Sequence, residues 1–83
     1  MKITVKLFAT LTDLLPPGTK ANAVEVEVPE GATPNGIVDR FRVPRKMAHL
    51  VLCNGLFIEP ERRDQSVIKD GDVIAIWPPI AGG

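Results

Sequence analysis

Apolar and polar side chains alternate strictly at the start of the chain, and this pattern predicts a half-buried β-strand at residues 2–8. The inward side chains are Ile3, Val5 and Leu7, and the outward ones are Lys2, Thr4, Lys6 and Phe8. A second alternating segment, at residues 23–28, predicts another strand whose valines face inward. Between them we expect a loop with a short helical turn, capped by Thr10 or Thr12 and ended by the Pro16-Pro17-Gly18 segment.

Thr33 followed by Pro34 predicts the start of a helix, because a hydroxyl can cap the first turn and proline is tolerated at the first helical position. The apolar positions that follow at helical spacing are Ile37, Val38 and Phe41. The helix should end before Val43-Pro44, since the residue before a proline avoids helical conformation. It is short and contains Gly36, so packing on a sheet rather than propensity must stabilise it.

The Asn54-Gly55 pair predicts a tight β-hairpin, because both positions of such a turn need a positive φ. It joins an apolar strand within residues 49–54 to a second strand at 56–58. Pro60 ends the hairpin, and a charged loop follows.

The Asp70-Gly71-Asp72 segment predicts a turn that leads into the last strand, at residues 73–77. Ile74 and Ile76 should face the core. The outward side chains expected on this strand are Val73, Ala75 and Trp77. Regular structure should end at Pro78-Pro79, because proline cannot continue a central strand.

The resulting order is β-β-α-β-β-β, which predicts an α+β fold of the β-grasp type. Five strands would form a mixed sheet packed on one main helix. We expect the first two strands to pair antiparallel and the last strand to pair with the first in parallel. Residues 1–77 would form this domain, and residues 78–83 an exposed C-terminal tail.

Composition excludes several classes of function. Ten basic and ten acidic side chains give a formal net charge of zero, which argues against nucleic-acid binding. No apolar run approaches the ~20 residues needed to span a bilayer, and the alternating N-terminus does not resemble a signal peptide. One cysteine and one histidine are too few for a structural metal site. We therefore expect a cytoplasmic protein that binds no metal or cofactor.

The chain ends in Gly82-Gly83, preceded by Pro78, Pro79, Ile80 and Ala81. Glycine has no Cβ, so this ending can enter a channel too narrow for other residues. Six extended residues reach about 20 Å, and the two prolines stiffen the base of the tail. The tail is thus suited to presenting the Gly83 carboxylate to a partner enzyme.

The whole chain resembles the ubiquitin-like sulfur carriers of the MoaD and ThiS family. The segments that carry the resemblance are Leu7-Phe8-Ala9, Asn54-Gly55, Lys69–Val73 and Trp77–Gly83. Chain length and the loop at residues 9–22 favour MoaD, the small subunit of molybdopterin synthase. MoaD proteins usually have phenylalanine before the two prolines, where this chain has Trp77.

The resemblance implies that the carrier supplies no catalytic group except its own C-terminus. An adenylating enzyme of the MoeB or ThiF type would use ATP to convert the Gly83 carboxylate to an acyl-adenylate. A sulfurtransferase carrying a persulfide would then supply sulfur, leaving a thiocarboxylate. The large subunit of molybdopterin synthase, of the MoaE type, would hold the sulfur acceptor.

Phe8 and Trp77 fall by parity on the outer faces of adjacent strands, and we expect them to form an exposed apolar patch that docks partners. Phe57 would extend it. The alternatives are that residues 9–22 cover the patch or that the parity is shifted by one.

Other candidate residues favour structural interpretations. The basic residues Arg40, Arg42, Arg45 and Lys46 fit a solvated helix end better than a steering patch. Cys53 is expected to be a small buried hydrophobe, and His49 lacks a catalytic partner in sequence.

Three other functions stay open. The chain could be a ThiS-type carrier for thiazole synthesis or a modifier joined through Gly83 to protein lysines. An interaction module with an incidental tail is a third possibility.

Overall fold

The computed structural model describes residues 1–19 and 21–79, which form a five-stranded mixed sheet with one α-helix packed on it. The strands are β1 (Lys2–Leu7), β2 (Ala23–Glu27), β3 (Leu50–Cys53), β4 (Leu56–Phe57) and β5 (Val73–Trp77), and the helix is α1 (Pro34–Arg40). The spatial order of the strands is β2-β1-β5-β3-β4. The predicted β-grasp arrangement is confirmed.

Strand β5 lies at the centre of the sheet. It pairs in parallel with β1, where Val5 is opposite Ile74, and antiparallel with β3, where Val51 is opposite Ile76. Strand β1 pairs antiparallel with β2, as predicted. One face of these strands packs against α1. The largest fully buried side chains of this core are Ile3, Leu7, Ile37, Ile74, Ile76, Val5, Val38, Val51 and Pro34.

Helix α1 begins and ends as its sequence indicates. The Thr33 hydroxyl accepts a hydrogen bond from the Gly36 N–H at 3.2 Å, which caps the first turn. At the other end, the Val43 N–H reaches the Val38 carbonyl at 3.0 Å, and Arg42 has a φ of 60°. This is a Schellman ending in which an arginine occupies the left-handed position that usually holds glycine.

The loop after β1 forms a 3-10 helix at Ala9–Leu14 and inserts Leu11 into the core. The prediction of a threonine cap was wrong. Phe8 occupies the cap position, with no side-chain hydrogen bond. The Thr12 hydroxyl instead donates to the Ala9 carbonyl at 2.9 Å, within the same turn.

The two predicted turns at one end of the sheet are joined by side-chain hydrogen bonds. Asn54 accepts from the Val73 N–H at 2.9 Å and donates to Asp72 at 2.9 Å. Asp72 also accepts from the Lys69 N–H at 2.8 Å, and this bond is the main reason that the pKa of its carboxyl is lowered. Asn54 and Gly55 have φ values of 52° and 85°, as the predicted hairpin turn requires.

Candidate functional site

The base of the predicted tail lies next to the central strand. Pro78 is buried and Pro79 is exposed, so the exposure expected for the tail begins at Pro79 rather than at Pro78. The remaining predicted tail positions, Ile80, Ala81, Gly82 and Gly83, lie outside the described residues.

Phe8 and Trp77 stack against each other at this base. Their ring centroids are 4.1 Å apart and their planes differ by 2°. The contact follows from the strand register, because Leu7 lies opposite Ile76 and the Phe8 N–H continues the ladder to the Ile76 carbonyl at 3.2 Å. The predicted parity is therefore confirmed.

The two rings are half-buried rather than exposed as predicted. Each stacked ring covers one face of the other, which removes that area from water. Ala75, expected on the same outer face, is buried at 8% exposure. It lies between Lys6 on β1 and Leu52 on β3, and these longer neighbours surround its single methyl group.

The exposed part of the apolar face comes from β3 and β4. Leu50 lies opposite Trp77 and is 40% exposed, while Phe57 lies opposite Leu52 and is 50% exposed. We call Phe8, Leu50, Leu52, Phe57 and Trp77 the apolar outer surface. Alternation around buried Val51 is the signal in the sequence that could have indicated Leu50 and Leu52.

A buried arginine lies beside this surface and was not singled out in the sequence. Arg63 is 5% exposed. Its guanidinium donates to the carbonyls of Ala48 at 2.7 Å, Ile58 at 2.9 Å and His49 at 3.3 Å, and its central carbon lies 5.7 Å from the centre of the Phe57 ring. Burial lowers the pKa of Arg63. Arg63 thus connects the start of β3 to the end of β4 and contacts Phe57.

Cys53 has the chemistry of an unreactive thiol. Its side chain packs against the core and lies 3.6 Å from the Asp72 carboxylate. Burial, with a smaller contribution from the Asp72 charge, raises the pKa of Cys53 to about 11. The thiol is therefore protonated at neutral pH, which fits a small hydrophobe, but Cys53 is half-buried rather than buried as expected.

The basic cluster is a solvated helix end. Arg45 forms an ion pair with Asp39 at 2.7 Å, and both side chains are more than half exposed. Arg40 donates to the Glu27 carbonyl and so ties the helix to β2. His49 is exposed and contributes only backbone contacts to Arg63 and Trp77.

These residues together present an apolar surface at the base of the predicted tail. Within residues 1–19 and 21–79, no group of three or more His, Cys, Asp or Glu side chains could hold a metal ion. No helix in the same part of the chain is long and apolar enough to cross a membrane.

Comparison with protein-family models identifies the family to which this chain belongs. The model of the ThiS family matches residues 5–83. A comparison with curated protein sequences gives no significant match.

Three solved structures illustrate the range of similar folds. A putative subunit 1 of the molybdopterin converting factor from Pyrococcus furiosus is 25% identical, with a TM-score of 0.65, over 95% of this chain and 98% of that one. SAMP1, a small archaeal modifier protein from Haloferax volcanii, is 24% identical, with a TM-score of 0.69 over the full length of both chains. A complex of subunits 1 and 2 of the molybdopterin-converting factor from Helicobacter pylori contains a chain 20% identical, with a TM-score of 0.59, over the full length of both.

Proposed function

This chain belongs to the ThiS family of ubiquitin-like sulfur carriers and modifiers, and we propose that it carries sulfur for the synthesis of molybdopterin. In this proposal the Gly83 carboxylate is activated and converted to a thiocarboxylate, whose sulfur is then transferred to a pterin precursor. The carrier works in the cytoplasm as the small subunit of a synthase, whose catalytic residues belong to its partner.

The observation that carries the proposal is the apolar surface at the base of the tail. Trp77 is the last residue of β5, and it is stacked on Phe8 and paired with half-exposed Leu50. A partner that binds this surface therefore contacts the chain directly before Pro78 and Pro79, where the tail begins. Such a contact would fix the direction of a tail that must enter a buried site.

Local geometry also supports a tail that leaves the sheet in a defined direction. Strand β5 is held on both sides by β1 and β3, so Trp77 cannot shift without breaking ladder hydrogen bonds. Pro78 is buried against the fold and fixes its own φ angle. Both effects reduce the conformational entropy that is lost when a partner takes up the tail.

Formation of the thiocarboxylate requires two partners. An adenylating enzyme uses ATP to form an acyl-adenylate at Gly83 with release of pyrophosphate. The terminal sulfur of a persulfide on a sulfurtransferase then displaces AMP. Cleavage of the resulting S–S bond by a thiol of that partner leaves the thiocarboxylate. The carrier needs no thiol for these steps, in keeping with the protonated state of Cys53.

Similarity to a putative subunit 1 of a molybdopterin converting factor supports the proposal that a pterin precursor is the sulfur acceptor. The Helicobacter pylori complex supports a large-subunit partner of the MoaE type, because a chain of this fold is there bound to subunit 2. The match to the ThiS model and the similarity to SAMP1 make thiazole synthesis and protein modification the rival outcomes.

Intact-mass spectrometry tests the proposal. The chain is expressed together with the adenylating enzyme and the sulfurtransferase of the same genome, and its mass is compared with that of the chain expressed alone. We expect the increase that corresponds to replacement of one oxygen by sulfur. The thiocarboxylated chain, mixed with the large synthase subunit and the cyclic pterin precursor, should then yield molybdopterin.

Two results would contradict the molybdopterin assignment. Transfer of sulfur only to a thiazole synthase would assign the chain to thiamine synthesis, and adducts on protein lysines would assign it to modification. Deletion of Gly83 provides the matched control. It should abolish the mass change and leave the melting temperature unchanged, because the core residues lie between positions 3 and 76.

A further inference from the structure

The two most exposed large hydrophobic side chains in the described part of the protein line one groove. Leu56 is 75% exposed and Val67 is 62% exposed. We call this groove, of about 350 Å³, the edge groove. Its apolar lining consists of Pro34, Cys53, Leu56, Phe57, Ile58, Val67 and Ile68. Two large side chains exposed at one place mark an interaction site more strongly than scattered ones do.

The edge groove is continuous with the apolar outer surface. Leu56 and Phe57 are consecutive residues of β4, so alternation directs them to opposite faces of the sheet. Leu56 pairs with Cys53 on the core side, and Phe57 pairs with Leu52 on the outer side. A partner seated on Phe57 therefore reaches Leu56 by extending over the edge of the sheet at β4.

From this continuity, and resting on the proposed carrier function, we propose that the adenylating enzyme which receives the tail also inserts an aliphatic side chain into the edge groove. The docking site would then cover the outer surface and the β4 edge together. The groove lies at the start of β5, at the opposite end of the sheet from Trp77. Contact at both ends would hold the carrier against rotation while its tail is modified.

The occupant is a side chain and not an added strand. The Ile58 N–H bonds to the Val51 carbonyl, so the backbone groups of Leu56 and Ile58 point toward β3. The Ile58 carbonyl also accepts from Arg63. Only Phe57 in this two-residue strand directs its backbone groups outward, and Pro60 follows closely. A single residue cannot pair stably with another strand.

Charged residues at the rim of the edge groove indicate which partner residue lies next to the inserted aliphatic side chain. Lys69 and Asp72 both line the groove. Asp72 already accepts from the Lys69 N–H, Asn54 and Cys53, whereas the exposed Lys69 ammonium forms no ion pair with a carboxylate in residues 1–19 and 21–79. The polar group left open to a partner at this rim is thus the Lys69 ammonium, whose charge also acts on Asp72 without forming an ion pair. A partner segment in which an aliphatic residue lies beside an aspartate or glutamate would match both the apolar lining and the Lys69 ammonium.

The test measures binding to the adenylating enzyme of the same genome, because activation precedes every route considered for this family. Leu56→Ser and Val67→Ser should each raise the Kd measured by isothermal titration calorimetry about tenfold. Both positions are exposed, so the melting temperatures should match wild type. Leu14→Ser, at a 38% exposed position in a different groove, is the matched control and should leave the Kd unchanged.

Charge is tested separately with Lys69→Gln, which leaves the backbone bond to Asp72 intact. Association should be slower for this variant at low salt, and the difference should disappear at high salt, where surface charges are screened. An association rate equal to wild type at low salt would overturn the assignment of an acidic partner residue.

Trp77→Ala distinguishes the inference from the function on which it rests. If Trp77→Ala weakens binding and the two groove variants do not, the edge groove is not part of the interface and only the inference fails. If wild type does not bind the enzyme at all, the carrier function and the inference fail together. If Leu56→Ser instead abolishes a dimer seen by light scattering, the groove holds a second copy and the inference is wrong.

Discussion

Replacement of the buried Arg63 should destabilise the fold more than loss of any exposed charge. The proposed change is Arg63→Met, which keeps an apolar stem of similar length but removes the guanidinium. In the wild type this group donates two short hydrogen bonds, to Ala48 at 2.7 Å and to Ile58 at 2.9 Å, and a longer one to His49. In the variant these carbonyls lose the donors that join β3 to the end of β4.

The expected loss follows from those contacts. Each buried carbonyl left without a partner costs about 1–3 kcal/mol, and two short bonds are lost. The contact with the Phe57 ring adds about 0.5–1 kcal/mol, and relief from burying a cation offsets part of the total. We expect the free energy of unfolding to fall by about 2–4 kcal/mol. For a domain of this size the melting temperature should fall by about 10–30 °C.

Urea denaturation followed by circular dichroism measures this change. Arg62→Met is the matched control, because the neighbouring arginine is exposed and its loss should change the free energy of unfolding by less than about 0.5 kcal/mol. Arg63→Lys retains the charge but not the planar fork, so its stability should be intermediate. Equal stability of Arg63→Met and Arg62→Met would refute the reasoning. A fully stable Arg63→Lys would show that charge, not fork geometry, matters.

Three further predictions concern other sites. Asp72→Asn should lower stability by about 1–2 kcal/mol at pH 7. Because the pKa of Asp72 is lowered from 3.8, this difference in stability should shrink in urea titrations as the pH falls below about 4. A difference that does not change with pH would show that the charge of the carboxylate is not its cause. Arg42→Gly should raise the free energy of unfolding by about 0.5–1 kcal/mol, since residue 42 has a φ of 60°, and destabilisation in the same assay would contradict this. Cys53, with its pKa raised to about 11, should react with iodoacetamide far more slowly at pH 7 than a free cysteine does, and an equal rate would show an ionised thiol.

Local pattern was enough to predict most of the secondary structure. The alternation at residues 2–8 became β1, and the Thr33-Pro34 signal became the capped start of α1. The Asn54-Gly55 pair became a turn with positive φ at both positions. These signals act between neighbouring residues, through sterics and short-range hydrogen bonds. They are therefore readable without knowledge of the rest of the fold.

Contacts between distant residues were predicted less well. Alternation placed Phe8 and Trp77 on the same face, but their stacking and half-buried state depend on the register between β1 and β5. Strand β5 lies between β1 and β3, and this central position buries Ala75, which parity alone predicted to face outward.

The sequence by itself determined the order of the strands along the chain, the limits of the helix, and a glycine ending that resembles a family of sulfur carriers. The tertiary structure decided which surfaces remain for a partner. The sequence pattern placed Arg63 in a charged loop, yet the fold buries it among carbonyls from Ala48, His49 and Ile58. The pattern placed Leu56 in a strand, and only the fold shows that it is 75% exposed in the same groove as Val67. Burial depends on what packs against a residue, and here those neighbours are distant in the chain.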